Sequence, residues 1–142
     1  MKPNILFVMS DDHAAHAIGA YGSRINRTPQ IDRIAQGGVR LTNCHCTNAL
    51  CTPSRATILT GKYGHVTGVR EWQPLDNRRP VQLQKLLKAA GYSTAIFGKW
   101  HLGHGVTDHV DRPDHDGPDA VPADPVGFDH YSVLPGHGRY HD

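Results

Sequence analysis

Cys51-Thr52-Pro53-Ser54-Arg55-Ala56-Thr57-Ile58-Leu59-Thr60-Gly61 restricts the fold more than any other stretch of this chain. Pro53 suits the first turn of a helix, where its missing N–H and fixed φ cost nothing. Gly61 reads as the C-terminal stop. Cys51 is therefore expected at a helix N-terminus, where free N–H groups and the helix dipole favour thiolates and anions. Arg55, one turn later, adds a planar, permanently charged fork suited to a tetrahedral oxyanion. A nucleophile and an anion site would then share one helical turn.

The flanking sequence alternates between short apolar runs and helical patterns. Asn4 to Ser10 carries Ile5, Leu6, Phe7, Val8 and Met9 without interruption, as buried parallel strands do. Thr28-Pro29 opens a short helix over Gln30 to Gln36, with Gly37-Gly38 as its stop. Val39 to Cys46 alternates as a strand. Residues 62–79 read as irregular. Pro80 begins a helix whose apolar face is Val81, Leu83, Leu86, Leu87, Ala89 and Ala90, ending before Gly91. Tyr92 to Phe97 predicts another buried strand, followed by Gly98-Lys99-Trp100-His101-Leu102-Gly103. This order implies an α/β fold with a largely parallel sheet. So few strands and covering helices predict the front part of a larger domain. Residues 104–125, rich in Asp, His, Pro and Gly, read as a solvated loop insertion. The alternative is incidental transition-metal binding by their histidines. An ordered pattern resumes at Gly127-Phe128-Asp129.

Composition narrows the function classes. A chain of 142 residues has room for one ordinary domain. The formal charge of +2, on scattered basic residues, argues against a nucleic-acid partner. No apolar run approaches the roughly 20 residues needed to span a bilayer, so no membrane partner is expected. Ile5 to Met9 is too short for a signal-peptide core and lacks a cleavage site. The default location is cytoplasmic, or periplasmic or secreted if a leader lies upstream. Three cysteines, Cys44, Cys46 and Cys51, cannot all pair within one chain. Eleven histidines point to metal or acid–base chemistry, although six of them follow Gly103.

Three clusters sit at or after strand ends: Asp11-Asp12, Cys51 with Arg55, and Lys99 with His101. The carboxyl ends of parallel strands share one edge, so the clusters could converge there. Together they would supply a hard-cation site, a nucleophile with an anion clamp, and a Lys/His pair for charge stabilisation and proton transfer. Hydrolysis of an anionic ester uses that set. Each group also has a plainer reading. Asp11-Asp12 suits a helix cap or turn. Lys99 could be a surface lysine, His101 a hydrogen-bonded structural histidine, and Cys51 a small buried hydrophobe. A metal cluster of Cys44, Cys46, Cys51 and a histidine would need spacing unlike that of structural zinc sites.

Cys51-Thr52-Pro53-Ser54-Arg55 with Leu59-Thr60-Gly61 resembles the signature of the type I sulfatases, whose cysteine is oxidised to formylglycine. Pro3-Asn4-Ile5-Leu6-Phe7 through Asp11-Asp12 resembles that family's first strand and metal-binding aspartates. Gly98 to Gly103 resembles its second signature. Gly127-Phe128-Asp129 and Leu134-Pro135-Gly136 are similar to bacterial sulfatases of the glucosamine-6-sulfatase and mucin-desulfating type. The resemblance implies an alkaline-phosphatase-like three-layer α/β sandwich with a mostly parallel sheet. Residues 1–142 would be the N-terminal part of its catalytic domain. It implies hydrolysis of a sulfate monoester, on a sulfated small molecule or glycan, through a covalent sulfate ester formed on the hydrated formylglycine of Cys51. His101 would be general base, and Lys99 and Arg55 would hold diol and sulfate oxygens. Asp11 and Asp12 would bind a divalent cation, Ca²⁺. Ser54, with Pro53 and Arg55, would be read by a formylglycine-generating maturation enzyme. Two carboxylates fall short of the usual six to eight or so calcium ligands, so the 142 residues alone are expected to be inactive. The alternatives are a phosphonate or phosphate monoester hydrolase of the same superfamily, or a non-catalytic sulfate-binding fragment.

Overall fold

The computed structural model describes residues 2–76, 81–103 and 125–134. The chain divides into two compact units, Met1–His45 and Cys46–Asp142.

The first unit is built around helix α1, Pro29–Gly37, which is one residue longer at each end than the expected Gln30 to Gln36 and has Gly38 as its C-cap. Thr28 precedes the helix without capping it through its side chain. Its hydroxyl instead accepts from the Gly19 amide at 2.8 Å and donates to Asp32 Oδ1 at 2.9 Å. The same carboxylate oxygen accepts from the Ala20 amide at 2.6 Å. Thr28 and Asp32 thereby anchor the short 3₁₀ turn Gly19–Tyr21 to α1. Arg40 donates to the Ala20 carbonyl and lies over the Tyr21 ring, 5.6 Å from its centroid.

Two expected strands of this unit are not formed. Asn4 to Ser10 and Val39 to Cys46 join no ladder among the described residues, and Leu6 and Val39 are 87% and 85% exposed. An apolar run becomes a strand only where neighbours accept its backbone hydrogen bonds. At Leu41 the carbonyl is taken by the Tyr21 hydroxyl at 2.9 Å, a side-chain contact in place of a ladder bond.

The second unit holds helices α2 (Cys51–Thr60), α3 (Gly64–Thr67) and α4 (Leu83–Ala89) and strands β1 (Ala95–Lys99) and β2 (His130–Leu134). β1 and β2 pair in parallel, with register running from Ala95 opposite His130 to Lys99 opposite Leu134. Ala56, Val69, Leu75, Trp100 and Leu102 form the buried core, with Leu59, Ile96, Phe128 and Val133 packed against it. α3 falls in the stretch expected to be irregular, and β2 was not anticipated.

α4 and β1 have different bounds from those expected. Pro80 lies outside the described residues, as do residues 104–124 of the expected insertion. Helix α4 begins at Leu83, after a Gln82 N-cap, and buries Gln84 while Val81, Leu83 and Leu86 stay exposed. The Gln84 amide is used: its Nε2 donates to the Val126 carbonyl at 2.9 Å and also to Gln82 Oε1. At the other end, the Tyr92 amide reaches back to the Leu87 carbonyl at 3.0 Å and the Gly91 amide to that of Lys88 at 2.8 Å. That pair of hydrogen bonds is a Schellman closure. Tyr92 therefore finishes the helix, and the strand starts three residues later and continues through Gly98 and Lys99. Phe97, expected to be buried, is exposed.

Asp129 fixes the entry to the sheet. Its Oδ2 accepts from the Thr94 amide at 2.9 Å, its own amide donates to the Thr94 carbonyl at 2.9 Å, and Oδ1 pairs with Lys88 at 2.5 Å. The Lys88 hydrogen bond, then the Thr94 amide, lowers the Asp129 carboxyl to about 2. Two residues earlier, Gly127 has φ 92°, and a Cβ there would lie 2.8 Å from Lys85 Cγ. Gly127 and Asp129 thus have distinct structural duties in the Gly-Phe-Asp triplet.

Candidate active site

Cys51 is the first residue of α2, preceded by a Leu50 N-cap with no side-chain cap. The Leu50 amide is held by Asn48 Oδ1 at 3.1 Å, and Asn48 Nδ2 donates to the Arg70 carbonyl at 3.3 Å. The first helical bond runs from the Ser54 amide to the Leu50 carbonyl at 3.0 Å. The amides of Cys51 and Thr52 thus stand in the first turn ahead of it, and Pro53 has none to satisfy. The other end closes as expected: Gly61 takes the left-handed conformation (φ 65°), and its amide donates to the Thr57 carbonyl at 2.8 Å.

Strand β1 brings its last residue to this helix end. Lys99 Nζ lies 3.5 Å from Cys51 Sγ, donating toward sulfur across 48 residues of sequence. Arg55 Nη1 donates to the Lys99 carbonyl at 2.5 Å. The cluster of Cys51 with Arg55 and the separately predicted Lys99 are thus joined. Arg55 differs from its expected role in one respect. At least one of its five N–H groups is engaged by the β1 backbone, so the residue also positions Lys99.

Beyond Lys99, the Trp100 amide donates to the Leu134 carbonyl at 2.9 Å, and the Trp100 ring meets Phe128 edge-on at 6.3 Å and 89°. His101 then turns with φ 56°, a left-handed backbone uncommon outside glycine. Its side chain is fully buried, and its ring lies 5.7 Å from that of Trp72 at a 35° tilt. Trp72 escaped the sequence reading because it stands in a stretch without periodicity, 29 positions from its partner.

Asp11 and Asp12 belong to the first unit, where both are exposed and Asp12 has φ 53°. Their hard carboxylate oxygens suit a calcium-like cation. Among the described residues, no group of three or more His, Cys, Asp or Glu side chains is arranged to hold a metal ion. Cys44 and Cys46 are exposed thiols, so the rival cysteine cluster finds no support there. No helix among the described residues is long and apolar enough to cross a membrane.

The Sulfatase family model matches residues 3–133. An N-acetylglucosamine-6-O-sulfatase of Bacteroides thetaiotaomicron is 42% identical over 144 aligned residues, covering 99% of this chain and 22% of that protein. A solved protein in complex with its substrate D-glucosamine-2-N,6-O-disulfate superposes with a TM-score of 0.78 at 41% identity, over 94% of this chain and 23% of that one. A phosphonate monoester hydrolase of Agrobacterium radiobacter gives a TM-score of 0.74 at 28% identity, over 94% of this chain and 26% of that one. The chain therefore spans about a fifth to a quarter of the length of the proteins it matches. The solved structures it resembles are sulfatases and alkaline-phosphatase-like hydrolases, and this chain's small parallel sheet with its helices represents only a part of such an α/β fold.

Proposed function

Because the chain belongs to the sulfatase family, we propose that it contributes the nucleophile half of a sulfuric ester hydrolase acting on a carbohydrate sulfate monoester. The observation that carries this reading is Lys99 Nζ at 3.5 Å from Cys51 Sγ, at an α2 N-terminus whose Arg55 grips the Lys99 carbonyl. A permanent cation, an ammonium and a helix N-terminus around one side chain favour an anionic group there. The sugar-sulfate preference is supported by the N-acetylglucosamine-6-O-sulfatase relative and the glucosamine disulfate complex.

Oxidised to formylglycine and hydrated, Cys51 would supply one hydroxyl to attack sulfur and a second to expel sulfate and restore the aldehyde. Lys99 would hold an oxygen of the diol, since its ammonium already reaches the side chain at position 51. Arg55 would face the sulfate oxygens with the rest of its fork while keeping β1 against α2. His101 would take the proton of the second hydroxyl as general base. Asp11 and Asp12 would hold a divalent cation, Ca²⁺, whose Lewis acidity would polarise the sulfate. The remaining calcium ligands and the leaving-group acid would come from outside these residues, which makes 1–142 the N-terminal part of a catalytic domain and inactive by itself. Thr52 and Pro53 are buried in α2, so a maturation enzyme would have to read Cys51 to Arg55 before the helix packs.

A phosphonate or phosphate ester hydrolase is the second reading, favoured by the Agrobacterium radiobacter likeness. Matched sulfate and phosphonate esters, offered to the full-length enzyme after coexpression with a maturation enzyme, separate the two. Mass spectrometry of the Cys51 peptide tests the shared premise. Faster sulfate turnover with a thiol-to-aldehyde mass loss is the expected result. An unmodified cysteine in an active enzyme would sink the formylglycine step.

A further inference from the structure

We propose that Trp72 is a positioning residue that fixes the plane of the His101 imidazole. The idea rests on the reading of His101 as general base, although its geometric half stands without that reading. His101 leaves β1 through a left-handed turn, φ 56°, so its ring is aimed by an irregular backbone. The ring is fully buried, and Trp72 lies against it with centroids 5.7 Å apart and planes tilted by 35°. That separation falls within the range of roughly 4.5–7 Å over which aromatic rings attract and orient one another.

Trp72 stands on a braced loop. Gln73 Oε1 accepts from the Arg70 amide at 2.9 Å and the Glu71 amide at 2.7 Å, closing the turn that carries the indole. Three residues on, the Leu75 amide donates to the Leu102 carbonyl at 3.0 Å, and both leucines are fully buried in the core. The loop is thus attached to the segment that presents His101, one residue past the histidine itself. Trp72 itself is 38% exposed, too open to be explained as core filling. A general base works only if one ring nitrogen points at the proton it removes. A displacement of about 1 Å at that nitrogen can cost on the order of a hundredfold in rate.

The test compares Trp72→Ala and Trp72→Phe in the full-length, matured enzyme, assayed with an aryl sulfate and glucosamine 6-sulfate. The expected result is a fall in kcat of about ten- to a hundredfold for Trp72→Ala at little-changed KM, with Trp72→Phe recovering most of it. The His101 ring protons, read by NMR, should lose the indole's ring-current displacement in Trp72→Ala and keep an altered one in Trp72→Phe. Unchanged kcat in Trp72→Ala, or unchanged His101 ring resonances, overturns the proposal. If the matured wild type turns over neither sulfate, the functional reading fails instead, and the resonances alone decide whether Trp72 orients the ring.

Discussion

Trp100→Ala should be the most damaging single truncation among the described residues of the second unit. Trp100 is 1% exposed, packs among Ala56, Val69, Leu75 and Leu102, and meets Phe128 edge-on at 6.3 Å. Emptying a buried aromatic site of this kind costs about 3–5 kcal/mol, the lost transfer energy plus the cavity left behind. Some 0.5–1.5 kcal/mol of that belongs specifically to the edge-to-face pair, as a rough partition. A loss near 4 kcal/mol lowers the folded-to-unfolded ratio about a thousandfold, a large share of the roughly 5–15 kcal/mol that holds a domain together. Trp100→Phe should be much milder. Among the described residues the buried Trp100 Nε1 has no acceptor, so losing that N–H offsets part of the lost area. Urea unfolding followed by far-UV circular dichroism gives both values, and the midpoint should move without a change in m. A Trp100→Ala, Phe128→Ala double-mutant cycle isolates the pair. A loss under about 1 kcal/mol for Trp100→Ala, well below the cost of a buried aromatic site, would refute the packing argument. Zero coupling in the cycle would refute the ring pair.

Four further outcomes follow from the same geometry. On the proposed mechanism, Lys99→Ala should lower kcat for sulfate ester hydrolysis by about 10²–10³, the usual cost of removing one donor from a developing anion, and Cys51→Ala should abolish turnover; stopped assays on the full-length enzyme, coexpressed with a maturation enzyme, read both. Arg55→Ala should also cost about 1.5–3 kcal/mol of stability, because it removes a charged hydrogen bond to the Lys99 carbonyl; a denaturation midpoint equal to wild type would argue against that anchoring role. Gly61→Ala should cost about 1 kcal/mol and Gly61→Asn less, since φ is 65° and no atom lies within 4 Å of the added Cβ; equal midpoints for the two variants would contradict a purely backbone penalty. Asp129 is held at about 2, so its contribution is fully present above the ordinary carboxylate range near 4 and fades as pH falls toward about 2; the stability gap between wild type and Asp129→Asn should shrink across that acid window and stay flat above it.

What the sequence discloses depends on how local the cause is. α2 is legible from end to end, because Pro53 and Gly61 act through their own φ angles and need no distant partner. The start of α1 is legible from Pro29 in the same way, whereas its end at Gly38 uses no left-handed residue. Strands are different: Ile5 to Met9 has the composition of a buried strand, yet β structure exists only where a second strand supplies donors and acceptors. β2 was overlooked although Tyr131 and Val133 carry the alternation of a strand. What locates it is Asp129, whose carboxylate bridges Thr94 and Lys88. A long-range staple of that kind has no short-range signature.

The candidate site divides along the same line, and the division explains why motif residues do double duty. Cys51 and Arg55 lie one helical turn apart, so their shared surface could be read from spacing alone. Lys99 reaches them because β1 ends beside the α2 N-terminus, and one of the contacts that hold that end in place is made by Arg55 itself. Arginine suits both tasks, since one edge of the fork can hold a backbone carbonyl while other N–H groups face an anion. Lysine at position 55 would keep the charge and lose this division of labour. Arg55→Lys should therefore impair catalysis through misplacement of Lys99 as well as weaker anion binding. Its kcat should fall further than its affinity for free sulfate does. Parallel losses in the two quantities would mean that Arg55 acts on the anion alone.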